Sequence, residues 1–181
     1  MNLRNEKIWI AGHEGMVGSA LMRKLRKHNL LISNRSKLNL TNNYDLDKWF
    51  NKNKPSVIIN AAAKVGGILA NKEQPVDFLL DNLKIQNNIF EMANKYNASK
   101  LIFLGSACSY PRNVDQPILE NEFFRGEPEQ TNIWYATAKI AGIKLGQAFR
   151  RQYGNNFICA MPTNSYGPGD NFNDNKNHVI P

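Results

Sequence analysis

The sequence predicts an α/β fold built on a doubly wound parallel sheet with helices on both faces. Along its 181 residues, short apolar runs alternate with longer amphipathic segments in which apolar residues recur at helical spacing. The short runs are apolar at successive positions, which is typical of strands buried on both faces of a parallel sheet. A stretch with three glycines, residues 12–18, joins the first apolar run to the first amphipathic segment.

The predicted elements follow one another in strand–helix order. Strands are predicted where the apolar runs lie, at 7–11, 30–33, 56–61, 101–104 and 157–161. Helices are predicted where apolar residues recur every three or four positions, at 16–28, 44–53, 75–96 and 133–153. Thr41 or Asn42 is expected to cap the second helix, and Pro55 to end it. Composition predicts irregular structure at 111–131 and in the tail 167–181.

Two helices have an apolar face that is explicit in the sequence. In the first helix this face consists of Met16, Val17, Ala20, Leu21 and Leu25. In the long third helix it is predicted to consist of Val76, Leu79, Leu80, Leu83, Ile89, Phe90 and Ala93. Both faces are expected to pack against the sheet.

Composition and charge argue against several classes of protein. Cys108 and Cys159 are too few for a disulfide framework, which favours a reducing compartment, the cytoplasm. No apolar run reaches the ~18 residues of a membrane span, and residues 1–7 lack the apolar core of a signal peptide. Most of the net charge of +8 lies in residues 1–54, partly at 23–27 near the end of the first helix, where cations complement the helix dipole. A nucleic-acid surface is therefore the weaker interpretation of this charge.

The glycine stretch has the spacing and position of a dinucleotide-binding turn in a Rossmann-like fold. Gly12 would make the tight turn after the first strand, Gly15 would let a pyrophosphate approach the backbone, and Gly18 would let helix and strand pack closely. The N-terminus of the following helix would then face the phosphates with its free amides and its dipole. An ordinary glycine turn is the alternative.

The end of the second strand bears on which dinucleotide is bound. An NAD site would place a carboxylate there to bind the ribose 2′-hydroxyl, but residues 33–37 contain none. Arg35 could instead bind a 2′-phosphate, which favours NADP, although a solvated loop cation explains this residue equally well. Glu14, within the glycine stretch, argues against NADP because a carboxylate repels a nearby phosphate.

A second group of residues points to proton transfer at a substrate oxygen. Tyr135 and Lys139 lie four residues apart and therefore share a face of the predicted last helix. An ammonium near the phenol would lower its pKa from about 10 and help it to exchange a proton. Ser106, at the end of the fourth strand, lies where ligands bind in this fold and could hold the same oxygen. The alternative is a core tyrosine beside a surface lysine.

Together the glycine stretch, Ser106, Tyr135 and Lys139 resemble the extended short-chain dehydrogenase/reductase family. The resemblance covers essentially the whole chain, in motifs at 12–19, 61–68, 135–144, 151–154, 162–164 and 177–181. It narrows within the family to enzymes that epimerise GDP-4-keto-6-deoxy-D-mannose at C3 and C5 and then reduce it at C4 with NADPH. It implies that Tyr135 donates a proton to the C4 oxygen with help from Ser106, and that Lys139 binds the nicotinamide ribose.

Further site residues come from the resemblance alone. It implies Cys108 and His178 as the acid/base pair of the epimerisation; taken singly, they would be interpreted as a small buried hydrophobe and a solvated loop residue. Cys159 is interpreted as a core residue. The implied NADP contacts are Gly12, His13, Glu14, Gly15, Met16, Val17, Gly18, Arg35, Leu104, Gly105, Ser106, Ala107, Lys139, Pro162, Thr163, Asn164, Ser165 and His178. No metal is implied.

The resemblance also carries expectations for the whole protein. It implies a GDP-sugar substrate, a homodimer, and neither a nucleic-acid nor a membrane partner. Members of the family continue into a C-terminal substrate domain, so residues 1–181 are expected to be an N-terminal fragment, the NAD(P)-binding domain with its catalytic residues.

The sequence also allows alternative functions. One is another nucleotide-sugar reductase, 4-epimerase or dehydratase of the same family, and a more distant one is an NADP-sensing module without catalysis. A dehydratase would need an acid pair after Ser106, where this chain has Ala107 and Cys108. A sensing module would have no need to keep Ser106, Tyr135 and Lys139 together.

Overall fold

A five-stranded, fully parallel sheet forms the centre of the molecule in the computed structural model, which describes residues 3–170. The strands are β1 (Lys7–Ala11), β2 (Asn29–Leu31), β3 (Val57–Asn60), β4 (Lys100–Leu104) and β5 (Phe157–Ala160), in the order β2-β1-β3-β4-β5. The helices are α1 (Met16–Lys24), α2 (Asn43–Asn53), α3 (Ile68–Glu73), α4 (Pro75–Lys95) and α5 (Ile133–Tyr153). Between β4 and α5 the described chain forms only short 3-10 turns, at Ala107–Ser109, Glu120–Glu122 and Gln130–Asn132.

Helices cover both faces of the sheet, which confirms the predicted fold class. On one face, apolar side chains of α1 pack against Ile8, Ile10, Val57 and Ile59. On the other face, α2, α4 and α5 pack around a core that includes Trp9, Phe50, Phe90, Phe103 and Phe157. Because side chains alternate along a strand, neighbouring residues of β1 reach opposite cores. Within residues 3–170, no helix is both long enough and apolar enough to cross a bilayer.

The sheet order determines where a ligand can bind. The chain leaves β1 towards β2 on one side and later returns to place β3 on the other side of β1. The connections after β1 and β3 therefore diverge and leave a crevice beyond the carboxyl ends of the strands, which is where doubly wound sheets bind ligands. The glycine stretch follows β1 directly, and the segments after β4 and β5 end at the same edge.

The end of the first helix differs from prediction, whereas the cap of the second helix is one of the two residues predicted. Helix α1 ends at Lys24 rather than at residue 28, because the chain turns at Leu25, which packs against the core of that face as the chain approaches β2. Of the two cap candidates it is Asn42 that caps α2, its side-chain oxygen accepting hydrogen bonds from two backbone amides. Helix α3 was not predicted, and the remaining strand and helix limits differ by at most two residues.

The predicted apolar face of α4 is wrong in its N-terminal half. Val76 and Leu80 are 66% and 43% exposed, whereas the polar residues Asn82 and Gln86 are buried. The Asn82 side chain is bound to both the amide and the carbonyl of Lys64, in the loop after β3. The buried polar groups are therefore satisfied by specific hydrogen bonds, and these contacts act together with the burial of Phe78 on the same face of this part of the helix.

Candidate active site

The turn after β1 can be built only with glycine at two positions. Gly12 has a φ of +80°, and a β-carbon on it would lie 2.7 Å from the backbone of Ala62 in the loop after β3. A β-carbon on Gly18 would lie 2.1 Å from the carbonyl oxygen of Gly12. Gly15 is exposed and precedes α1, whose first amides have no partner within the helix. The turn thus presents backbone donors at a helix N-terminus, a geometry that fits a pyrophosphate.

The residues around this turn differ in their exposure. His13, Met16 and Val17 are half-buried, whereas the carboxylate of Glu14 extends into solvent. Arg35 lies in the turn after β2 and is exposed; within residues 3–170 it has no hydrogen bond or ion pair. Both charges are therefore free to meet a ligand at this end of the crevice, one attracting and one repelling a phosphate.

The segment after β4 brings a serine and a cysteine to the same edge of the sheet. The strand ends at Leu104, and Ser106 starts the Ala107–Ser109 turn by accepting a hydrogen bond from the Cys108 amide at 3.3 Å. The Cys108 sulfur accepts a hydrogen bond from the side-chain amide of Asn132 at 3.3 Å. Because Asn132 immediately precedes α5, this bond places the thiol beside the start of the helix that carries Tyr135.

Lys139 is buried beneath the tyrosine. Its exposed fraction is 4%, and its Nζ donates a hydrogen bond to the Leu104 carbonyl oxygen at 2.7 Å. The same nitrogen lies 5.7 Å from the centre of the Tyr135 ring and 4.8 Å from that of Phe103. Burial lowers the pKa of Lys139 from 10.5 to about 8.

The pKa of Tyr135 departs from the expectation. Burial and the negative charge of a Cys108 thiolate raise it to about 12, although hydrogen bonding to the Ser106 side chain acts in the opposite direction. The expected lowering by Lys139 is therefore wrong for this structure, in which the lysine amine is committed to the Leu104 carbonyl. Tyr135 accordingly stays protonated at neutral pH and keeps a proton that it can donate.

The segment after β5 closes the edge of the site. The Ala107 amide donates a hydrogen bond to the Pro162 carbonyl oxygen at 3.2 Å, and the buried Gly105 donates to Ala160 at 2.8 Å. The next three residues, Thr163, Asn164 and Ser165, are exposed and available to a ligand. His178 lies outside the described residues. Cys159 is half-buried in β5 against the core, as expected, and burial raises its pKa to about 11.

Some residues of the site were not found from the sequence. Asn132 had no signal beyond its place three residues before Tyr135, because its contact with Cys108 is made across 24 residues of chain. Gln86 donates a hydrogen bond to the Ala138 carbonyl oxygen at 2.8 Å and ties α4 to α5 beside Lys139. It had no signal in the sequence, because Gln86 is followed by two further polar residues, Asn87 and Asn88. Within residues 3–170 no group of three His, Cys, Asp or Glu side chains could hold a metal ion.

Burial of Lys139 gives a stability prediction. Its folded-state pKa of about 8 lies below the ordinary 10.5, so the folded protein binds this proton more weakly than the unfolded chain. Below pH 8 the burial costs roughly 3 kcal/mol, and this cost disappears as the pH rises towards 10.5. Lys139→Met removes the buried charge. It also removes the hydrogen bond to the Leu104 carbonyl oxygen, which costs about 1 kcal/mol. We expect the variant to be more stable than the wild type at pH 7 and to lose this advantage by pH 10.5.

Denaturant unfolding of wild type and variant at the two pH values measures the difference directly. Lys84→Met, on the exposed side of α4, is the matched control and should give no pH-dependent difference. A Lys139→Met variant that is destabilised by the same amount at both pH values would contradict the prediction.

Several known proteins are similar to this chain in sequence and in structure. The GDP-L-fucose synthase of Sinorhizobium fredii is 51% identical over 181 residues, an alignment that covers 99% of this chain and 58% of that protein. Among solved structures, a GDP-D-glycero-L-gluco-heptose synthase from Campylobacter jejuni, determined in the presence of NADPH, has a TM-score of 0.92 and 37% identity, covering 99% of this chain and 53% of that one. A GDP-L-fucose synthetase from Naegleria fowleri bound to NADP has a TM-score of 0.89 and 29% identity, covering 99% of this chain and 60% of that one.

This chain spans between half and two thirds of the length of each of these proteins. A model of one protein family matches it from residue 8 to residue 181, and so includes the glycine turn, Ser106, Tyr135 and Lys139. The chain belongs to the NAD dependent epimerase/dehydratase family.

Proposed function

We propose that the whole protein carrying this sequence is a GDP-L-fucose synthase, which converts GDP-4-keto-6-deoxy-D-mannose to GDP-L-fucose with NADPH. The observation that supports this best is the position of Cys108. A plain keto reductase needs Ser106, Tyr135 and Lys139, whereas a thiol held beside the start of α5 adds a second proton-transfer group to the same cluster. An enzyme that both epimerises and reduces one sugar requires such a second group.

The reduction uses the buried cluster. Tyr135 donates its phenolic proton to the C4 oxygen as that oxygen gains negative charge, and the Ser106 hydroxyl holds the same atom. Lys139, beneath the ring, binds the nicotinamide ribose and adds positive charge. Bound NADPH would supply the hydride; the residues that would hold it are the glycine turn, Arg35, the segments 104–107 and 162–165, Lys139 and His178.

The epimerisation uses proton exchange next to the ketone. Protons on C3 and C5 are acidified by the C4 carbonyl, so a side-chain base can remove each one and leave an enolate. Returning a proton from the opposite face inverts that carbon without any net oxidation. We assign these two faces to Cys108 and His178, because thiol and imidazole groups both suit proton exchange near neutral pH.

The choice of NADP over NAD gives a prediction at Arg35. Since this guanidinium is exposed and unpaired in the described structure, we expect Arg35→Ala to weaken NADPH binding by roughly 1.5–3 kcal/mol, the value of a hydrogen bond to a charged group. NADH binding should stay nearly unchanged. Calorimetric titration of the whole protein with each cofactor measures the difference.

Arg26→Ala is the charge-matched control for this titration, because Arg26 is exposed just beyond the C-terminal end of α1, away from the crevice. It should affect neither cofactor. Equal weakening of NADPH and NADH by Arg35→Ala would show that this residue does not recognise the 2′-phosphate, and would direct attention to Glu14.

The proposal includes the organisation of the whole protein. The relatives are longer than the matched region, and we place the GDP-binding substrate domain in the corresponding part of the whole protein, with residues 1–181 forming the cofactor domain. We further propose a homodimer in the cytoplasm without a nucleic-acid or membrane partner.

The proposed function is tested by product analysis. The whole protein is incubated with GDP-4-keto-6-deoxy-D-mannose and NADPH, loss of nicotinamide absorbance is followed, and the product is identified by NMR. GDP-L-fucose supports the proposal, whereas a reduced sugar that keeps its configuration at C3 and C5 identifies a plain 4-keto reductase. The structural likeness to the Campylobacter jejuni heptose synthase, and to a GDP-6-OMe-4-keto-L-xylo-heptose reductase from the same organism, favours a GDP-4-keto-heptose as the second substrate to test.

A further inference from the structure

Asn132 makes the contact that links the two halves of the proposed site. It ends the Gln130–Asn132 turn, three residues before Tyr135, and its Nδ2 donates a hydrogen bond to the Cys108 sulfur at 3.3 Å. The donor and the acceptor are separated by the long loop 111–131. This single amide therefore ties the thiol to the start of the helix that carries the phenol.

The other end of the same amide is unused. The Asn132 Oδ1 atom is buried and has no hydrogen-bond partner among residues 3–170. Native proteins leave buried polar atoms without a protein partner mainly where water or a ligand supplies the hydrogen bond. A carbonyl oxygen accepts hydrogen bonds only, so the partner of this enclosed atom must be a small donor such as water.

The turn that carries Asn132 is held in place. The backbone amide of Asn132 donates a hydrogen bond to the Glu129 carbonyl oxygen at 3.2 Å, and the Glu129 carboxylate accepts a hydrogen bond from the Thr131 backbone amide at 3.3 Å. The same carboxylate pairs with Arg112 at 3.1 Å. A side chain on so constrained a turn keeps a defined orientation, which is a requirement for positioning a reactive group.

We propose that Asn132 is a positioning residue for the epimerisation: its N–H orients the Cys108 sulfur and donates a hydrogen bond to the thiolate when that base forms. This inference rests on the proposed function. The N–H is suited to binding a thiolate because a hydrogen bond donated to a charged acceptor is about twice as strong as one donated to a neutral acceptor. Burial raises the pKa of Tyr135, and a negative charge on Cys108 acts in the same direction, so a thiolate at this position would leave the phenol protonated for the reduction.

Two substitutions test whether the Asn132 side chain acts as a hydrogen-bond donor to Cys108 or has only a structural role. Asn132→Asp keeps the shape but replaces the N–H donor by a carboxylate, which repels a thiolate; Asn132→Ala removes the side chain. In the whole protein, solvent-deuterium exchange at C3 and C5 of the 4-keto sugar, without NADPH, should fall by about 10- to 100-fold in both variants. Oxidation of GDP-L-fucose by NADP in a single turnover, which needs no epimerisation, should change far less.

Asn113→Asp makes the same substitution at an exposed site of the same loop and should alter neither measurement. Normal exchange in Asn132→Asp would overturn the proposal, because only the shape of the side chain would then matter. An equal loss of exchange and hydride transfer in both variants would also overturn it, by identifying a structural role at the start of α5.

A third measurement does not depend on the substrate. Alkylation of Cys108 by iodoacetamide, followed by peptide mass spectrometry, should be about 10-fold slower in Asn132→Asp than in the wild type, with Cys159 as the internal reference. If the wild type shows no exchange on the GDP-sugar but alkylation is slowed as expected, the proposed function fails and the positioning of the thiol stands. Unchanged alkylation overturns the positioning itself.

Discussion

Replacing Tyr135 by phenylalanine removes ketone reduction from the whole protein and leaves NADPH binding intact. Phenylalanine keeps the ring that packs near Lys139, so the buried amine retains its surroundings and only the phenolic hydroxyl, with its proton and its hydrogen bonding to Ser106, is lost. Loss of a general acid costs about 100- to 10,000-fold in rate. The rate is measured from nicotinamide absorbance with GDP-4-keto-6-deoxy-D-mannose, and cofactor affinity from a separate titration.

Tyr153→Phe is the matched control, because this phenol lies exposed at the far end of the same helix. It should reduce at the wild-type rate. Deuterium exchange at C3 and C5 should fall far less than reduction in Tyr135→Phe, since the phenol is not the base that removes these protons. Near-normal reduction by Tyr135→Phe would remove this residue from the mechanism.

The second large effect is expected at Cys108. Cys108→Ser should lower solvent-deuterium exchange at C3 and C5 by about 100- to 10,000-fold, because a hydroxyl is a far poorer proton acceptor than a thiolate. Serine is nearly isosteric, and Ser106, Tyr135 and Lys139 are untouched. Single-turnover oxidation of GDP-L-fucose by NADP should therefore survive, and the two measurements together separate epimerisation from hydride transfer.

Cys159→Ser is the control for replacing a thiol by a hydroxyl elsewhere in the chain. Because Cys159 packs against the core, this variant should exchange deuterium at C3 and C5 at the wild-type rate. His178→Asn should reproduce the loss seen in Cys108→Ser, since it removes the partner on the other face of the sugar. Exchange at the unmodified rate in both Cys108→Ser and His178→Asn would disprove the assigned pair and leave a plain 4-keto reductase as the better interpretation.

The parts of this protein that could be predicted are those set by neighbours along the chain. The strand–helix alternation predicted the parallel sheet because apolar periodicity reports directly on which faces are buried. Gly12 and Gly18 could be assigned their roles because a positive φ and a close backbone approach exclude other residues. Tyr135 and Lys139 could be paired because a four-residue spacing places them on one helix face.

Other features needed the tertiary structure, since they depend on contacts between distant segments. The apolar face of α4 was mispredicted because Asn82 and Gln86 are buried through hydrogen bonds to the loop after β3 and to α5. The direction of the Tyr135 pKa shift was mispredicted because the phenol is buried and the lysine amine is committed to the Leu104 carbonyl, neither of which can be read from spacing. The hydrogen bond from Asn132 to Cys108 crosses the whole loop 111–131. The sequence by itself thus determined the sheet, the glycine turn and the Tyr135–Lys139 pair, because local periodicity and sterics act over a few residues; only the folded chain decided the protonation and orientation of the site, because these depend on which distant groups share its interior.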